Sequence, residues 1–342
     1  MPNKIIVTGG AGYIGTHTTV ALQTAGFDVV VFDNLGNSSG RAIDGVVRIT
    51  GVRPEFINVD CSDMDALARA FDAHRDAIGV IHFAALKAVG ESVEKPLVYY
   101  RNNLNGLINV LDNMVRCKIP NIVFSSSSTV YGEPDTLPVT EDTPLKPAKC
   151  PYGQTKVMGE QIIRDTVLAN PDLNAILLRY FNPIGAHPSA EIGENPNGIP
   201  SNLLPFVCQT AAGIREVLNV FGDDYDTPDG FCIRDYIDIN DLASAHVAAL
   251  KHMLDGARGI DVFNLGTGRG VSVMELIKTF ESATGVSVPR KIAPRRAGDV
   301  PAIWADASRA NRVLGWRANV PLSETLASAW RWQQKCMAEQ NS

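Results

Sequence analysis

The feature that most constrains this chain is the stretch "TGGAGYIG" at Thr8–Gly15, which follows directly on the apolar run "KIIVT". A continuous β-branched run reads as a buried parallel strand. Gly9, Gly12 and Gly15 then form G-x-x-G-x-x-G, and Gly10, Gly12 and Gly15 also satisfy G-x-G-x-x-G. Glycines at this spacing let the backbone turn tightly and approach a pyrophosphate. The helix that begins there offers free N–H groups and the positive end of its dipole. The motif needs a strand before it and a helix after it, and both are predicted, at Lys4–Thr8 and Gly12–Ala25, with Gly26 ending the helix. Asp33 closes the next apolar run, "DVVVFD", 18 residues past Gly15. An acid at that point hydrogen-bonds the adenosine ribose of NAD and repels the 2′-phosphate of NADP. Binding of NAD is therefore expected.

Runs of the same kind recur at Phe56–Asp60, Val80–Ala85, Ile122–Ser126 and Ala175–Phe181, with helical patterns at Asp63–Phe71, Pro96–Cys117 and Tyr152–Leu168. This alternation predicts the α/β class and a doubly wound parallel sheet (Rossmann) covered on both faces. Pro96 suits a first helical position, where its missing N–H does no harm. Asn182–Asn202 is dense in Gly, Pro and Asn and reads as loop. It divides residues 1–181, a NAD-binding domain, from residues 182–342, a smaller α/β substrate domain. Segments within about 232–266 are expected to return to the first domain. Beyond the loop, helices are predicted near Leu203–Ala212, Asn240–Leu254, Val273–Thr284 and Leu322–Met337. Strands are predicted at Val217–Phe221, Arg234–Ile237 and Val262–Gly266.

A second motif speaks to chemistry. Tyr152 and Lys156 form Tyr-x-x-x-Lys, and "SSSSTVYG" (Ser125–Gly132) ends a strand that would lie beside their helix. A spacing of four puts both side chains on one helical face. A free phenol has a pKa of about 10; a nearby ammonium lowers it, and a positive nicotinamide ring lowers it further. Reaching about 7 takes about 4 kcal/mol of differential stabilisation. In this reading Tyr152 is the general base toward a sugar or alcohol hydroxyl while a hydride leaves the same carbon. Lys156 tunes it and bonds the nicotinamide ribose. Ser127 holds the reacting oxygen, and Thr129 stands beside it as a possible substrate contact. Ser125, Ser126 and Ser128 read equally well as strand-end capping. On the cofactor side, Asn34 neighbours Asp33, and Asp60 at the third strand's end is either an adenine contact or a helix cap. Lys87 lies in the loop after the fourth strand, at the sheet edge where ligands collect. Asn102 is a cofactor contact or part of a solvated helical face.

The bulk numbers exclude several classes. A net charge of −6 lacks the basic surface that nucleic acids favour. No apolar run approaches the ~18 residues of a membrane span, and the N-terminus enters a strand at once, without room for a signal peptide. The 6 cysteines contain no C-x-x-C and fit neither a zinc site nor a disulfide framework. The 6 histidines (His17, His74, His82, His187, His246, His252) show no ligand spacing, so no metal is expected. A cytoplasmic location follows as the default.

Taken together, "TGGAGYIG", "HFAALKAVGESVEKP", "SSSSTVYG", "YGQTK", "LLRYFNPIGAHPS" and "APRRAGDVPAIWADAS" run in order over nearly the whole chain. They resemble the UDP-galactose (UDP-glucose) 4-epimerase family, a branch of the extended short-chain dehydrogenase/reductases. The resemblance implies an enzyme that holds NAD tightly and takes a UDP-hexose substrate. It interconverts the two sugars through a 4-keto intermediate and forms a homodimer through the Pro96 and Tyr152 helices. The implied cofactor contacts are Gly9, Gly12, Tyr13, Ile14, Gly15, Asp33, Asn34, Asp60, Phe83, Ala84, Lys87, Asn102, Tyr152, Lys156 and Tyr180. On the substrate side, Ser127 and Tyr152 meet the sugar, and Asn182 lies near the sugar and pyrophosphate. Asn202 and Leu203 meet the phosphate and uracil, and Phe221 packs on the uracil. Arg234 and Arg296 hold the diphosphate, whose oxygens suit guanidinium forks. Asp299 and Tyr236 lie at the uridine ribose.

Some positions depart from the family pattern. Ile303 stands where some relatives carry tyrosine at the edge of the sugar pocket, which implies partial activity on UDP-N-acetylhexosamines. Asp238 often corresponds to histidine, and Asn219 replaces a smaller residue expected beside the uracil. A nucleotide-sugar 4,6-dehydratase of the same fold needs an Asp and a Glu just after the catalytic Ser/Thr, where this chain has Ser128 and Thr129. A net alcohol dehydrogenase has no use for Arg234 and Arg296. A catalytically silent NAD-binding protein often lacks the tyrosine or the lysine, and both are present here.

Overall fold

The computed structural model describes residues 3–340 apart from 197, 199, 201, 297 and 298. The first half runs β1 (Lys4–Thr8), α1 (Tyr13–Thr24), β2 (Asp28–Asp33), α2 (Gly40–Thr50), β3 (Glu55–Asn58), α3 (Met64–Ala73) and β4 (Gly79–His82). It continues with α4 (Val89–Glu94), α5 (Pro96–Cys117), β5 (Asn121–Ser127), α6 (Pro151–Ala169) and β6 (Asn174–Tyr180). The second half begins with β7 (Asn182–Ile184), α7 (Leu203–Ala211), β8 (Leu218–Phe221), β9 (Ile233–Arg234), β10 (Tyr236–Asp238), α8 (Ile239–Leu254) and β11 (Ile260–Leu265). It ends with β12 (Val271–Ser272), α9 (Val273–Thr284), β13 (Arg290–Ala293), β14 (Ala302–Ile303), α10 (Ser308–Val313) and α11 (Leu322–Gln340).

Seven strands form one parallel sheet in the order β11-β6-β5-β4-β1-β2-β3. The strand order reverses between β1 and β4, and the crevice at the carboxyl ends there is where open α/β sheets receive ligands. One face buries Leu22, Ile43 and Leu250, from α1, α2 and α8, against Val7, Ile81 and Phe263. The other buries Phe71, Leu107 and Ile163, from α3, α5 and α6, against Ile6, Val80 and Phe124. The doubly wound Rossmann-type α/β fold is thus present. A separate core joins α7, α9 and α11 through Val207, Phe280 and Leu326, with Leu218 and Tyr236. β11 enters the main sheet beside β6, with Asn264 opposite Arg179.

Local differences from the sequence pattern have physical causes. The helix α2 was not expected, because "GRAIDGVVRIT" is rich in glycine and β-branched residues of low helix propensity. It forms because Ile43 and Val46 bury completely or nearly so, each worth about 1.5–3 kcal/mol. Gly45 permits this: a Cβ there would lie 2.5 Å from the Glu191 carbonyl oxygen. β4 stops at His82, short of the expected Ala85. The loop Asn182–Asn202 contains β7, whose Asn182 pairs in register with Tyr236 of β10.

Candidate active site

The glycine turn connects β1 to α1 and leaves no room for a side chain at Gly9, Gly10 or Gly15. Gly9 has φ +69°, and its N–H donates to the Phe32 carbonyl at 2.7 Å. A Cβ on Gly15 would lie 2.4 Å from the Gly9 carbonyl oxygen and 2.6 Å from the Gly10 Cα, both backbone atoms that have nowhere to move. A Cβ on Gly9 would meet Ala84 N at 2.7 Å, which shows how closely the Phe83–Ala84 segment lies against the turn. The cap residue Gly12 supplies no side-chain acceptor, so the first N–H groups of α1, at Tyr13, Ile14 and Gly15, are left to a ligand or solvent. Ile14 packs its side chain on the core, and Tyr13 donates its hydroxyl to the Gly185 carbonyl at 2.7 Å, tying this turn to the segment after β7.

Asp33, at the end of β2, organises the turn. One carboxylate oxygen accepts from Ala11 N at 3.0 Å, and the other from Leu35 N at 2.8 Å and Ser38 Oγ at 2.9 Å. A carboxylate has about four acceptor positions, so one remains for a ligand hydroxyl. Asn34 donates to Asp60 at 2.8 Å, bringing the ends of β2 and β3 together. Burial pushes the Asp60 carboxyl up, but bonds from Ser62 and Asn34 outweigh it and leave the group below its ordinary value. The cap of α3 is Asp63, which accepts from Ala66 N at 3.0 Å, so Asp60 does not serve that role.

Asn102 donates to Asn103 Oδ1 at 2.9 Å, and Asn103 is the more constrained of the two. Its amide accepts from Leu86 N at 2.8 Å and donates to Leu86 O at 3.0 Å and to Thr155 Oγ1 at 3.1 Å. It thereby fixes the Lys87 loop to α6. In the sequence Asn103 carries one signal only, a second asparagine beside Asn102 on the same helix. Lys87 itself pairs with Glu194 at 3.0 Å, and Asn202 donates to the same carboxylate oxygen at 2.6 Å.

Tyr152 and Lys156 lie one turn apart on α6. The helix starts at Pro151 behind Cys150, whose sulfur accepts from Gly153 N at 3.4 Å. Ser127 ends β5 opposite Tyr180 in register. Its hydroxyl lies by the Tyr152 phenol, which it holds down in part, and accepts from Thr129 N at 3.2 Å and Thr129 Oγ1 at 3.0 Å. Lys156 is buried; it donates to the Ser125 carbonyl at 2.7 Å and lies 5.0 Å from the Phe124 ring centre and 5.8 Å from that of Tyr152. The Tyr180 hydroxyl bonds Ser125 Oγ. Ser126 is structural: it donates to the buried Glu160, which Arg179 grips at 2.6 and 2.8 Å.

The expected depression of the Tyr152 pKa is not found. Burial pushes the phenol up to about 12, and the Ser127 bond offsets this only in part. Burial also pushes the Lys156 amine down to about 8. The ammonium commits a hydrogen to Ser125 O and lies by the ring faces. Bringing the phenol from about 12 to about 7 therefore requires about 7 kcal/mol, and Lys156 alone does not supply it.

The substrate-side residues converge more than the sequence implied. Asp299 Oδ1 accepts from Arg296 Nη2 at 2.7 Å and lies 3.6 Å from Arg234 Nη2. Arg234 is in register with Ile303 of β14. Ile303 is buried with Val130, Tyr131, Val139, Phe181 and Ala305. Between Arg234 and Tyr236 stands Asp235, fully buried, accepting from Thr267 N and Oγ1, Gly268 N and Ala305 N. Its carboxylate thus occupies the backbone N–H groups of the turn "GTGRG" at Gly266–Gly270, a structural loop. Burial pushes Tyr236 up to about 12. Leu203 opens α7, and Phe221, ending β8, is 43% exposed. Asn219 faces solvent opposite Lys291. Asp238 caps α8 and accepts from Thr325 Oγ1 at 2.9 Å, a structural use for that departure.

Residues 5–266 match the NAD dependent epimerase/dehydratase family. The chain belongs to that family. It is 53% identical over 329 residues to a UDP-glucose 4-epimerase of Bacillus subtilis (strain 168), which covers 96% of each chain. The solved UDP-glucose 4-epimerase of Bifidobacterium longum, in complex with NAD+ and UDP, superimposes with a TM-score of 0.94 at 48% identity, covering 97% of this chain and 98% of that one. The UDP-Glc/GlcNAc 4-epimerase of Campylobacter jejuni gives 0.84 at 37% identity, covering 98% and 100%. The likeness to the extended short-chain dehydrogenase/reductases is thus real across both halves. Within the NAD dependent epimerase/dehydratase family, the positions after Ser127 argue against the dehydratase branch. Ser128 and Thr129 stand there, and the Thr129 hydroxyl is taken up by Ser127. Among the described residues no helix is long and apolar enough to cross a membrane.

Proposed function

We propose that this chain is a UDP-glucose 4-epimerase that interconverts UDP-galactose and UDP-glucose by oxidation and re-reduction at sugar C4. The observation that carries this reading is the Tyr152 side chain buried beside Ser127 with Lys156 one turn on, at the carboxyl edge of the sheet, in a chain that matches such enzymes over almost its whole length. The residues present fit NAD: a tight glycine turn, an uncapped helix start and a carboxylate with one acceptor position left. When bound, NAD accepts a hydride from the sugar carbon and returns it, so it is not consumed. Tyr152 takes the proton of the O4 hydroxyl, and Ser127 holds that oxygen. Arg234 and Arg296 grip the diphosphate, and Asp299, which pins both guanidiniums, sits where a ribose hydroxyl is recognised. Residues 1–181, with the returning 232–266 segments, hold NAD, and the rest of 182–342 holds the UDP-sugar. The protein purified without added cofactor should carry nicotinamide absorbance and convert UDP-galactose to UDP-glucose with no net NADH. Stoichiometric NADH, or no conversion, defeats the reading. UDP-N-acetylglucosamine should turn over roughly 10–200-fold more slowly, the range that one misfit group in a pocket costs. The buried, intermediate-sized Ile303 is the reason, and a complete absence of N-acetyl turnover removes this part.

A cytoplasmic homodimer completes the reading. The solvent face of α5 carries Leu97, Ile108 and Val115, and that of α6 carries Met158 and Leu168, the last 85% exposed. A second copy of the same face is a self-complementary cover for this stripe. Sedimentation should give twice the chain mass of 36.9 kDa; a monomer at micromolar concentration counts against it.

A further inference from the structure

Glu194 has no role in any of the sets above, yet it touches both sides of the cleft. Its Oε1 accepts from Lys87 Nζ at 3.0 Å and from Asn202 Nδ2 at 2.6 Å, and its side chain is only 10% exposed. Lys87 follows β4, and its loop is clamped to α6 through Asn103. Asn202 occupies the cap position of α7 but makes no capping bond; its amide is spent on Glu194 instead. The backbone that presents Glu194 is held from outside the cleft. Trp332 Nε1 donates to the Glu194 carbonyl at 3.1 Å, and a Cβ on Gly193 would lie 2.5 Å from the Trp332 ring. Glu191, three residues before, pairs with Arg48 of α2 and with Lys335 of α11. A carboxylate fixed by two helices thus receives one donor from each side.

We propose that Glu194 is a positioning residue that couples the cofactor side of the cleft to the substrate side. The proposal rests on the reading of Lys87 as a cofactor contact and Asn202 as a substrate contact. One oxygen shared by two donors makes the position of each depend on the other. When the Asn202 amide turns to a ligand, the carboxylate loses an acceptor bond and binds Lys87 more strongly. When Lys87 turns to an anion, Asn202 is held more strongly by Glu194. Such coupling is reciprocal by thermodynamic necessity, and couplings of this kind start at about fivefold.

The test uses cross-effects that a merely structural role does not produce. Lys87→Met, on the cofactor side, should change UDP affinity measured by calorimetry by about fivefold in the native chain, and by less than twofold in a Glu194→Ala chain. Asn202→Ala should likewise change the fraction of nucleotide retained through gel filtration only when Glu194 is present. Glu194→Gln, which keeps an acceptor for Asn202 without the charge, serves if the alanine variant does not fold. It should remove the cross-effect of Lys87 as well. Cross-effects absent from the native chain, or unchanged without Glu194, overturn the proposal while leaving the epimerase reading intact. A native chain that neither retains nucleotide nor binds UDP defeats both.

Discussion

A Tyr152→Phe protein keeps its fold and its nucleotide and loses turnover by about three to four orders of magnitude, the upper range for removing a positioned general base. The substitution deletes one oxygen from a buried ring. Ser127 already accepts from Thr129 N and Oγ1, so toward Tyr152 it can only donate, and the lost phenol leaves that O–H to the substrate hydroxyl or to solvent. The glycine turn and Asp33 are untouched, which is why nucleotide absorbance should persist. The expected loss is large because nothing nearby can replace the phenol. Lys156 is committed to the Ser125 carbonyl, and the Tyr180 hydroxyl is committed to Ser125 Oγ. The chain alone pushes the phenol up to about 12. The ionised form therefore depends on positive charge arriving with the cofactor, and turnover should fail in any variant that binds UDP but not NAD. The measurement is kcat with UDP-galactose together with the nucleotide absorbance of the same preparation. A Tyr152→Phe kcat within tenfold of the native value would move the base elsewhere.

What was legible in the sequence was whatever acts over one turn of chain. The glycine turn, Asp33 and the Tyr152–Lys156 pair are each defined by a spacing of a few residues or one strand–helix unit, and each lies as that spacing demanded. The parallel sheet was legible because buried β-branched runs cannot be satisfied any other way. What was hidden acts across long separations. Asn103 reaches Thr155 across 52 residues, Asp235 reaches Thr267 across 32, and Glu194 reaches Lys87 across 107. In the chain each is one more polar residue with no local partner, like any solvated position. The burial of Tyr152 was hidden for the same reason: an ammonium four residues away is visible in the sequence, whereas the desolvation that raises the phenol in the chain alone is a property of the packed structure. The helix α2 was missed because its burial, not its composition, makes it helical.

The same desolvation that raises the phenol makes the protein acid-labile, and stability should fall by about 4 kcal/mol between pH 7.5 and pH 5.5. Three histidines are buried and held neutral. His17 Nδ1 and His246 Nδ1 each donate to a carbonyl, of Tyr13 at 2.7 Å and Leu242 at 2.9 Å, so each Nε2 is the bare nitrogen. Neither Nε2 has a hydrogen-bond partner among the described residues. Protonation there would bury an N–H⁺ with no acceptor, and burial accordingly pushes His17 down to about 3 and His246 to about 4. His82 is pushed down to about 3 by burial and by the ammonium of Lys156. An unfolded histidine titrates near 6.5. Below that value the unfolded chain binds three protons that the folded chain refuses, so stability is full above pH 6.5 and is lost as the pH falls toward the folded values. Each group contributes about 1.4 kcal/mol per unit below 6.5. Asp235, Glu141 and Asp241, whose carboxyls burial pushes up, act in the opposite direction and soften the slope at lower pH. With an unfolding entropy of about 2.1 cal/mol/K per residue, the loss corresponds to a Tm lower by about 6 °C. A Tm unchanged from pH 7.5 to 5.5 would mean that these rings are solvated or partnered in solution. His82 ties this lability to the proposed site: burial first, and then the ammonium of Lys156 beside Tyr152, keep its imidazole uncharged.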